Sequence, residues 1–349
     1  MAEKLKCNAC FAHSKKDIRI EERELVYTSN DIVVKVEAGG ICGSDIHYYQ
    51  EGHAGLSVLK HPMVIGHEFV GKIYKAPIDS KLKVGQKVAI NPSQPCNKCD
   101  FCLAGKQNEC PNMRFMGSAQ FNPHVHGGFS EYVVVSEEQC FPYDSSISPQ
   151  IMAFSEPTTV AIHAINVAGS LVGKKVLVMG AGPIGGLIIA AAKASGAVEI
   201  IASDISERCQ KIALEMGAHK AISPLDKEIF NEFSKDKGYF DVTFEACGAA
   251  AAIESTVAVT RANGIVVQVG MGASPVQYPI AQMLAKELTW KGSFRFIDEF
   301  GIAVKWLEQG LIDPRPLISK EYRYQDVEQA LITATDKNIS SKVIVTFFE

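Results

Sequence analysis

The segment VLVMGAGPIGGL, residues 176–187, constrains the fold of this chain more than any other stretch. An apolar run typical of a buried strand ends in glycines, and a run with helical spacing follows them directly. Gly180, Gly182 and Gly185 are spaced as G-x-G-x-x-G between the two. Because a strand, a tight glycine turn and a helix form the first half of a βαβ unit, the segment predicts a parallel sheet covered by helices.

The same rhythm continues on both sides of this segment. VEIIASD, FDVTFEACG, GIVVQVG and LTWKGSF are typical of buried strands, and SERCQKIALEMG has helical spacing. The helix after the glycines is signalled by Pro183 in its first turn and by Gly196 just past its end. We therefore predict an α/β domain with a doubly wound parallel sheet over residues 155–296.

The remainder of the chain has a different pattern. Short apolar runs such as DIVVKVEA, FVGKIY and GGFSEYVVV alternate with Gly, Pro, Asn and Ser clusters, which is typical of a β-rich domain with long loops. A chain of 349 residues exceeds what one core usually organises. We predict a second, discontinuous domain built from residues 1–154 and 297–349.

The glycine motif predicts a dinucleotide site. Gly180 allows the tight turn, Gly182 lets the backbone approach a pyrophosphate, and Gly185 allows close packing of helix on strand. The first helical residues, Pro183 and Ile184, lie where unpaired N–H groups meet the phosphates.

The acidic residue that should follow such a motif is Asp204, nineteen residues beyond Gly185. Its carboxylate would accept hydrogen bonds from ribose hydroxyls and repel a 2′-phosphate, so NAD is favoured. Arg208 stands one helical turn further on and could pair with that phosphate, which leaves NADP as an alternative.

Four cysteines within residues 91–115 predict a structural metal lobe. Cys96, Cys99, Cys102 and Cys110 offer four thiolates, enough for one closed tetrahedral zinc. An iron–sulfur signature would place three residues before its last cysteine, whereas seven stand here. Zinc is favoured over that cluster and over unrelated free thiols.

A second, open metal site is indicated by GGICGSDIHYYQEG and HPMVIGHEFVG. Cys42 and His67 supply a thiolate and an imidazole, and a carboxylate could complete the three protein ligands of a catalytic zinc. From the spacing alone, each of these residues could equally be structural.

Composition excludes several classes of partner. A formal net charge of −4 without a block of Lys or Arg gives no reason to expect nucleic acid or an anionic membrane. The charged N-terminal residues lack the apolar core of a secretory signal. The ten cysteines then suit metal binding in a reducing compartment, so we expect a cytoplasmic protein.

Together, GGICGSD, GHE, the four-cysteine lobe and GAGPIG resemble the zinc-dependent medium-chain dehydrogenases of the alcohol and polyol dehydrogenase superfamily. The resemblance covers nearly the whole chain apart from a somewhat extended N-terminus. It implies a Rossmann domain, a GroES-like catalytic domain, one catalytic and one structural zinc, and a homodimer or homotetramer. The strand GIVVQVG could extend its sheet across a two-fold axis.

The resemblance also implies roles for individual residues. Cys42 and His67 would bind the catalytic zinc with Glu156, where alcohol dehydrogenases carry a cysteine. Glu68 would bind directly or exchange with Glu156, and Asp45 would orient the ring of His67.

The implied reaction begins with the loss of the proton of a secondary alcohol, which zinc promotes by lowering the pKa of a bound hydroxyl. Ser44 would take that proton, and it would pass through the cofactor ribose to His47 near solvent.

The segments MRFMGSA, VQVGMG and KGSFRF are similar to members of the superfamily that oxidise the sugar acid L-idonate to 5-keto-D-gluconate. Arg295 or Arg114 could bind the substrate carboxylate, but we prefer Arg295 as a residue that serves the cofactor or binds a substrate hydroxyl. Gly270 is a further candidate for cofactor binding. An uncharged polyol such as sorbitol or xylitol is the alternative substrate. A non-catalytic dinucleotide sensor is the alternative from another class.

Overall fold

The protein is described by a computed structural model, which covers residues 2–272 and 275–347. The chain forms two compact units. Unit 1 comprises Met1–Glu156, Phe300–Gln309 and Ile318–Glu349, and unit 2 comprises Pro157–Glu299 and Gly310–Leu317.

The strands are numbered in chain order. They are β1 (Glu3–Ser14), β2 (Asp17–Tyr27), β3 (Ile32–Gly40), β4 (His53–Ala54), β5 (Ser57–Val58), β6 (Met63–Val64), β7 (Glu68–Lys75), β8 (Lys87–Ile90), β9 (Ser93–Gln94), β10 (Arg114–Phe115), β11 (Tyr132–Val135), β12 (Cys140–Pro142), β13 (Lys175–Met179), β14 (Glu199–Ser203), β15 (Lys220–Ile222), β16 (Phe240–Glu245), β17 (Thr260–Gln268), β18 (Thr289–Gly292), β19 (Ile318–Arg323) and β20 (Lys342–Thr346).

The α-helices are numbered in the same way. They are α1 (Gly43–Glu51), α2 (Asp100–Leu103), α3 (Pro149–Met152), α4 (Ser155–Ala168), α5 (Pro183–Ala194), α6 (Glu207–Glu215), α7 (Lys227–Ser234), α8 (Ala250–Val259), α9 (Ile280–Ala285), α10 (Phe300–Glu308) and α11 (Val327–Thr335).

Unit 2 is built on a six-stranded sheet. The strand order is β15-β14-β13-β16-β17-β18, and every neighbouring pair is parallel. The near-continuous apolar sequences of β13 and β14 are buried, as expected for strands covered on both faces. The predicted doubly wound parallel sheet is therefore confirmed.

The order of strands fixes where a ligand can bind in unit 2. Counted from β13, the chain winds outward through β14 and β15 and then returns to β16 on the other side. In sheets of this kind, ligands bind beyond the carboxyl ends of the strands where the winding reverses. That point lies between β13 and β16.

Unit 1 contains a seven-stranded sheet with the path β12-β8-β7-β3-β20-β19, and β11 also pairs with β3. β20 comes from the last part of the chain, yet it lies between β3 and β19 and runs antiparallel to β3. A smaller sheet with the order β2-β1-β6 packs its apolar residues into the same core. This arrangement brings residues from opposite ends of the sequence to one place.

Two further observations bear on partners. GIVVQVG lies largely in β17, which is flanked by β16 and β18, whereas β15 and β18 are the edge strands. Contrary to the expectation from sequence, β17 itself therefore cannot extend the sheet across a two-fold axis. Within the residues described, no helix has both the length and the apolar character needed to cross a membrane.

Candidate metal and dinucleotide sites

The four-cysteine lobe is held together by short elements. β9 pairs with β10, and α2 lies between Cys99 and the helix end at Leu103. The Sγ atoms of Cys96, Cys99, Cys102 and Cys110 all lie within 4.8 Å of one another, and all four are free cysteines. Four converging thiol donors that form no disulfide fit a closed tetrahedral zinc site.

The electrostatics of this lobe differ from one sulfur to the next. A backbone N–H of Lys98 lowers the pKa of the Cys96 thiol to about 6, and hydrogen bonds from Cys110 and Cys99 add to the effect. Burial raises the pKa of the Cys102 thiol to about 12. A cation at the centre of the lobe would favour the thiolate form of all four.

The open metal site is formed by Cys42, His67 and Glu68, whose donor atoms lie within 4.8 Å of one another. Cys42 immediately precedes α1, and Glu68 is the first residue of β7, directly after His67. Thiolate, imidazole and carboxylate are the donors that zinc accepts in proteins, so this group fits a catalytic zinc.

A glycine makes room for this group. Gly40 pairs with Glu68 across β3 and β7, and a Cβ atom on Gly40 would lie only 2.2 Å from Oε2 of Glu68. The second glycine of GGIC therefore has a steric role, because any side chain there would displace the carboxylate.

Lys342 is the residue at this site that sequence analysis missed. It is the first residue of β20, and its Nζ lies 2.7 Å from Oε1 and 2.6 Å from Oε2 of Glu68 and donates to the carbonyl of Ile41. Burial alone would lower the pKa of Lys342, but the negative charges of Glu68 and Cys42 outweigh it and raise the pKa. A buried ammonium thus stands beside the predicted metal ligands.

Glu156 lies in the first turn of α4 and is 6% exposed. Burial raises its pKa to about 8, and the nearby charges of Glu68 and Cys42 add to this effect. Among the described residues, the three-donor group does not include Glu156. The converging group thus contains Glu68, and the role of Glu156 as the remaining ligand, which the resemblance implies, stays a prediction.

Asp45 acts on the metal ligands through their backbone. Its Oδ2 accepts the N–H of Cys42, its Oδ1 accepts the N–H of Gly66, and both distances are 3.0 Å. Nδ1 of His67 lies 4.0 Å from Oδ1, too far for a hydrogen bond. Asp45 therefore fixes the chain on either side of the ligands, and its expected orientation of the His67 ring stays a prediction.

Burial also raises the pKa of the Cys42 thiol to about 12, and the charge of Glu68 raises it further. Only a thiolate binds zinc, so this site requires the charge of the ion to hold Cys42 in its ligating form.

The expected proton-transfer residues lie on α1. Ser44 is half-buried and His47 is exposed, and they are three residues apart on the helix, so their side chains share a face. Nδ1 of His47 lies 3.5 Å from Oε1 of Glu51.

Arg114, one candidate for the substrate carboxylate, stands in β10 beside Phe115. The ring of Phe115 packs edge-on against His67 with centroids 5.5 Å apart. Since successive side chains on a strand point to opposite faces, Arg114 points away from the face that meets His67.

The glycine turn of unit 2 has the geometry that the motif predicts. Gly180 has φ of 90° and donates its N–H to Ser203, and α5 begins with Pro183 after Gly182 as N-cap. A Cβ atom on Gly185 would lie 1.8 Å from the carbonyl oxygen of Gly180, whereas one on Gly182 would meet nothing within 4 Å. The space beside Gly182 is therefore open, and Ile184 follows in the first turn.

Asp204 holds this turn in place. Its Oδ2 accepts the N–H of Ala181 at 2.7 Å, and its Oδ1 accepts the N–H of Ser206 at 2.8 Å. Arg208 is the second residue of α6 and is half-buried. Both residues follow β14, at the carboxyl edge of the sheet.

The remaining cofactor candidates follow β17 and β18. A Cβ atom on Gly270 would lie 2.4 Å from the backbone nitrogen of Gly248, so two loops meet there backbone to backbone. Arg295 has φ of 53°, and its guanidinium carbon lies 4.9 Å from the ring centroid of Phe294.

Two family models match the chain. The model described as alcohol dehydrogenase GroES-like domain matches residues 28–145, and the model described as zinc-binding dehydrogenase matches residues 183–309. The chain therefore belongs to the family of zinc-binding alcohol dehydrogenases, which confirms the expected GroES-like and Rossmann-type domains and the expected class of oxidoreductase.

Individual proteins of known type are similar to the chain. The chain is 45% identical over 343 residues to L-idonate 5-dehydrogenase (NAD(P)(+)) of Escherichia coli strain K12, covering 98% of this chain and 99% of the relative. The crystal structure of L-idonate 5-dehydrogenase from E. coli K-12 MG1655 matches with a TM-score of 0.97 and 44% identity, covering 99% of each chain. D-xylulose reductase A of Aspergillus niger is 36% identical over 324 residues, covering 90% of this chain and 89% of the relative.

These relatives agree with the expected cofactors, zinc and a nicotinamide dinucleotide. The similarity to the sugar-acid dehydrogenase exceeds that to the polyol enzyme in both identity and coverage.

Proposed function

We propose that the protein catalyses the reversible, NAD-dependent oxidation of the C5 hydroxyl of L-idonate, giving 5-keto-D-gluconate. In this reaction the C5–H and O–H bonds break, a carbonyl forms, the hydride reduces NAD, and the proton leaves to solvent. The observation that carries the substrate assignment is the 45% identity to an L-idonate 5-dehydrogenase across 98% of the chain.

The catalytic zinc would be held by Cys42, His67 and Glu68, because their donor atoms already converge within 4.8 Å. Bound there, zinc would act as a Lewis acid and lower the pKa of the substrate hydroxyl. Glu156 would be the carboxylate that exchanges with Glu68, since it is buried in the first turn of α4 and the charges of the other ligands act on it.

Lys342 would balance charge in this site. Cys42, Glu68 and Glu156 are all anionic when they act as ligands, and buried anions without a cation are costly. The ammonium of Lys342, bound to both oxygens of Glu68, offsets one of these charges.

Ser44 and His47 would move the proton. The hydroxyl of Ser44 accepts the proton of the alcohol as it passes its own proton on, and His47, three residues further along α1, releases a proton to solvent. The exposure of His47 suits that last step, because an imidazole can both accept and release a proton.

The dinucleotide would bind at the carboxyl edge of the sheet in unit 2. Gly180, Gly182 and Gly185, with the N-terminus of α5 at Pro183 and Ile184, would receive the pyrophosphate. Gly270 and Arg295 would complete the site from the later strands. Asp204 favours NAD over NADP, and Arg208 is the residue through which NADP could be accepted.

The test compares substrates directly. Initial rates of NAD reduction are measured for L-idonate, sorbitol and xylitol at equal concentrations, and then with NADP in place of NAD. A kcat/KM for L-idonate that exceeds those for both polyols by more than about tenfold is expected. A preference for either uncharged polyol would instead support the alternative of a polyol dehydrogenase.

Assembly and location form part of the same proposal. Among the described residues, β18 has a neighbour on one side alone, and the exposed Ile280 and Leu284 of α9 precede it. Such an edge suits pairing with a second copy, so we expect a homodimer or homotetramer by light scattering. The ten free cysteines suit the cytoplasm.

A further inference from the structure

The carboxylate of Glu245 is buried in the wall of the dinucleotide site. Glu245 is the last residue of β16 and has no exposed surface. Its Oε1 accepts the N–H groups of Cys247 at 3.0 Å and Gly248 at 2.9 Å, and also the thiol of Cys247. Its Oε2 accepts from the side chain of Gln268 at 2.5 Å and from Gly248 at 3.0 Å. The buried carboxylate thus accepts donors from the loop after β16 and from Gln268 at the end of β17.

The main chain of Glu245 also binds the loop that follows β17. Its carbonyl accepts the N–H groups of Val269 at 2.8 Å and Gly270 at 2.9 Å. Gln268 in turn donates to the carbonyl of Gly270. Glu245 therefore joins the loop that follows β16 to the loop that follows β17.

These two loops lie against the glycine turn and against each other. A Cβ atom on Gly180 would lie 2.7 Å from Cβ of Cys247, and one on Gly270 would lie 2.8 Å from Oε2 of Glu245. Without fixed loop positions, such close packing cannot be maintained.

The position of Glu245 in the sheet indicates which part of a dinucleotide it serves. The first mononucleotide-binding half contains β13, β14, the glycine turn and Asp204, whose expected partner is the adenosine ribose. β16, β17 and their loops belong to the second half, which is left for the nicotinamide nucleotide.

We propose that Glu245 is a positioning residue for the nicotinamide half of the dinucleotide. It holds residues 246–248 and 268–270 as one preformed wall, and it does so without touching the cofactor. This inference rests on the proposed function, since it requires that the chain binds NAD.

The test uses Glu245→Gln, which keeps the shape of the side chain but turns one acceptor oxygen into a donor. The dissociation constants of NADH and AMP are measured by calorimetry for the full-length protein. AMP occupies only the first half of the dinucleotide site. A change confined to the nicotinamide half therefore alters the dissociation constant of NADH but not that of AMP. We expect the dissociation constant of NADH to rise about tenfold, because the substitution removes one charge-assisted hydrogen bond. The dissociation constant of AMP should change less than about twofold.

The matched control is Glu254→Gln, the same substitution at an exposed position on α8 of the same unit. It should leave both dissociation constants unchanged. If Glu245→Gln does not fold, Gln268→Leu removes the hydrogen bond from Gln268 to Glu245 instead. This variant should also weaken the binding of NADH but not that of AMP.

An equal rise in the dissociation constants of NADH and AMP would overturn the proposal, because it would indicate general damage to the fold of unit 2. Unchanged NADH binding would overturn it as well. If the unsubstituted protein binds no NADH, the proposed function itself fails, and this result is distinct from normal binding that Glu245→Gln leaves unaltered.

Discussion

The ammonium nitrogen of Lys342 lies within 2.7 Å of both carboxylate oxygens of Glu68, although the two residues are 274 positions apart in the sequence. They are 3% and 1% exposed. A buried ion pair of this kind contributes little to the stability of the fold when it is intact. The removal of one partner, however, leaves an uncompensated buried charge and destabilises the fold.

Replacing Lys342 by Met should therefore lower the free energy of unfolding by about 3 kcal/mol, measured by urea denaturation at neutral pH. Lys4→Met is the matched control, because Lys4 forms a pair of the same length with Glu24 at an exposed position. Exposed pairs contribute little, so this variant should unfold like the unsubstituted protein. Equal stability of the two variants would show that the Lys342 pair is unimportant.

The two cysteine-containing sites should lose zinc independently. Cys42→Ser is expected to halve the zinc content measured by mass spectrometry and to abolish turnover, while NADH binding is retained. Cys96→Ser should also halve the zinc content but should lower the melting temperature by about 5 °C or more, because the lobe loses its closed site. Cys247→Ser, at an exposed cysteine outside both groups, should keep all the zinc. Full zinc content in Cys42→Ser would contradict the open site.

Two glycines of the turn should respond differently to the same change. A methyl group on Gly182 meets no protein atom within 4 Å, so Gly182→Ala should leave the melting temperature unchanged and weaken NADH binding about tenfold or more by occupying space needed by the pyrophosphate. Gly185→Ala places a methyl group 1.8 Å from the carbonyl of Gly180 and should destabilise unit 2 itself. Unchanged NADH affinity in Gly182→Ala would place the pyrophosphate elsewhere.

Acid sensitivity is predicted for Glu299 in unit 2. Burial would raise its pKa, but hydrogen bonds from His163, the N–H of Ile297 and Asn166 lower it to about 2. Because this folded-state pKa lies below the ordinary value of 4.5, ionised Glu299 stabilises the fold at neutral pH, and that contribution is lost as the pH falls from about 4.5 towards about 2.

Glu299→Gln should reduce the free energy of unfolding at pH 7 by about 2 kcal/mol and flatten its decline in this acid range. Urea unfolding at several pH values measures both effects. Glu254→Gln should keep the decline of the unsubstituted protein. An undiminished decline in Glu299→Gln would assign the acid sensitivity to other carboxylates.

The features that sequence analysis predicted best are local. The cysteine lobe and the glycine turn each occupy one short segment, so residue spacing alone carries the geometry. The parallel sheet was equally predictable, because strands buried on both faces have near-continuous apolar sequences. The roles assigned to the individual site residues stay predictions.

What sequence analysis missed depends on distant strands. Nothing in SKVIVTF marks Lys342 as a partner of Glu68, since their meeting follows from the insertion of β20 beside β3. Glu245 had a weak signal, an acid at the end of a strand just before Cys247 and Gly248, but its buried donors come partly from β17. Which strand can extend a sheet also depends on strand order, and for this reason the sequence alone could not show that GIVVQVG lies between two other strands.

The four-cysteine lobe affects how the newly made chain resists proteolysis in the cell. Its elements are two-residue strands and a four-residue helix, too little apolar surface to order the segment by packing. A newly made copy that has not yet acquired its ion would present this stretch to proteases, so the supply of zinc would set how long the molecule survives as well as how fast it works.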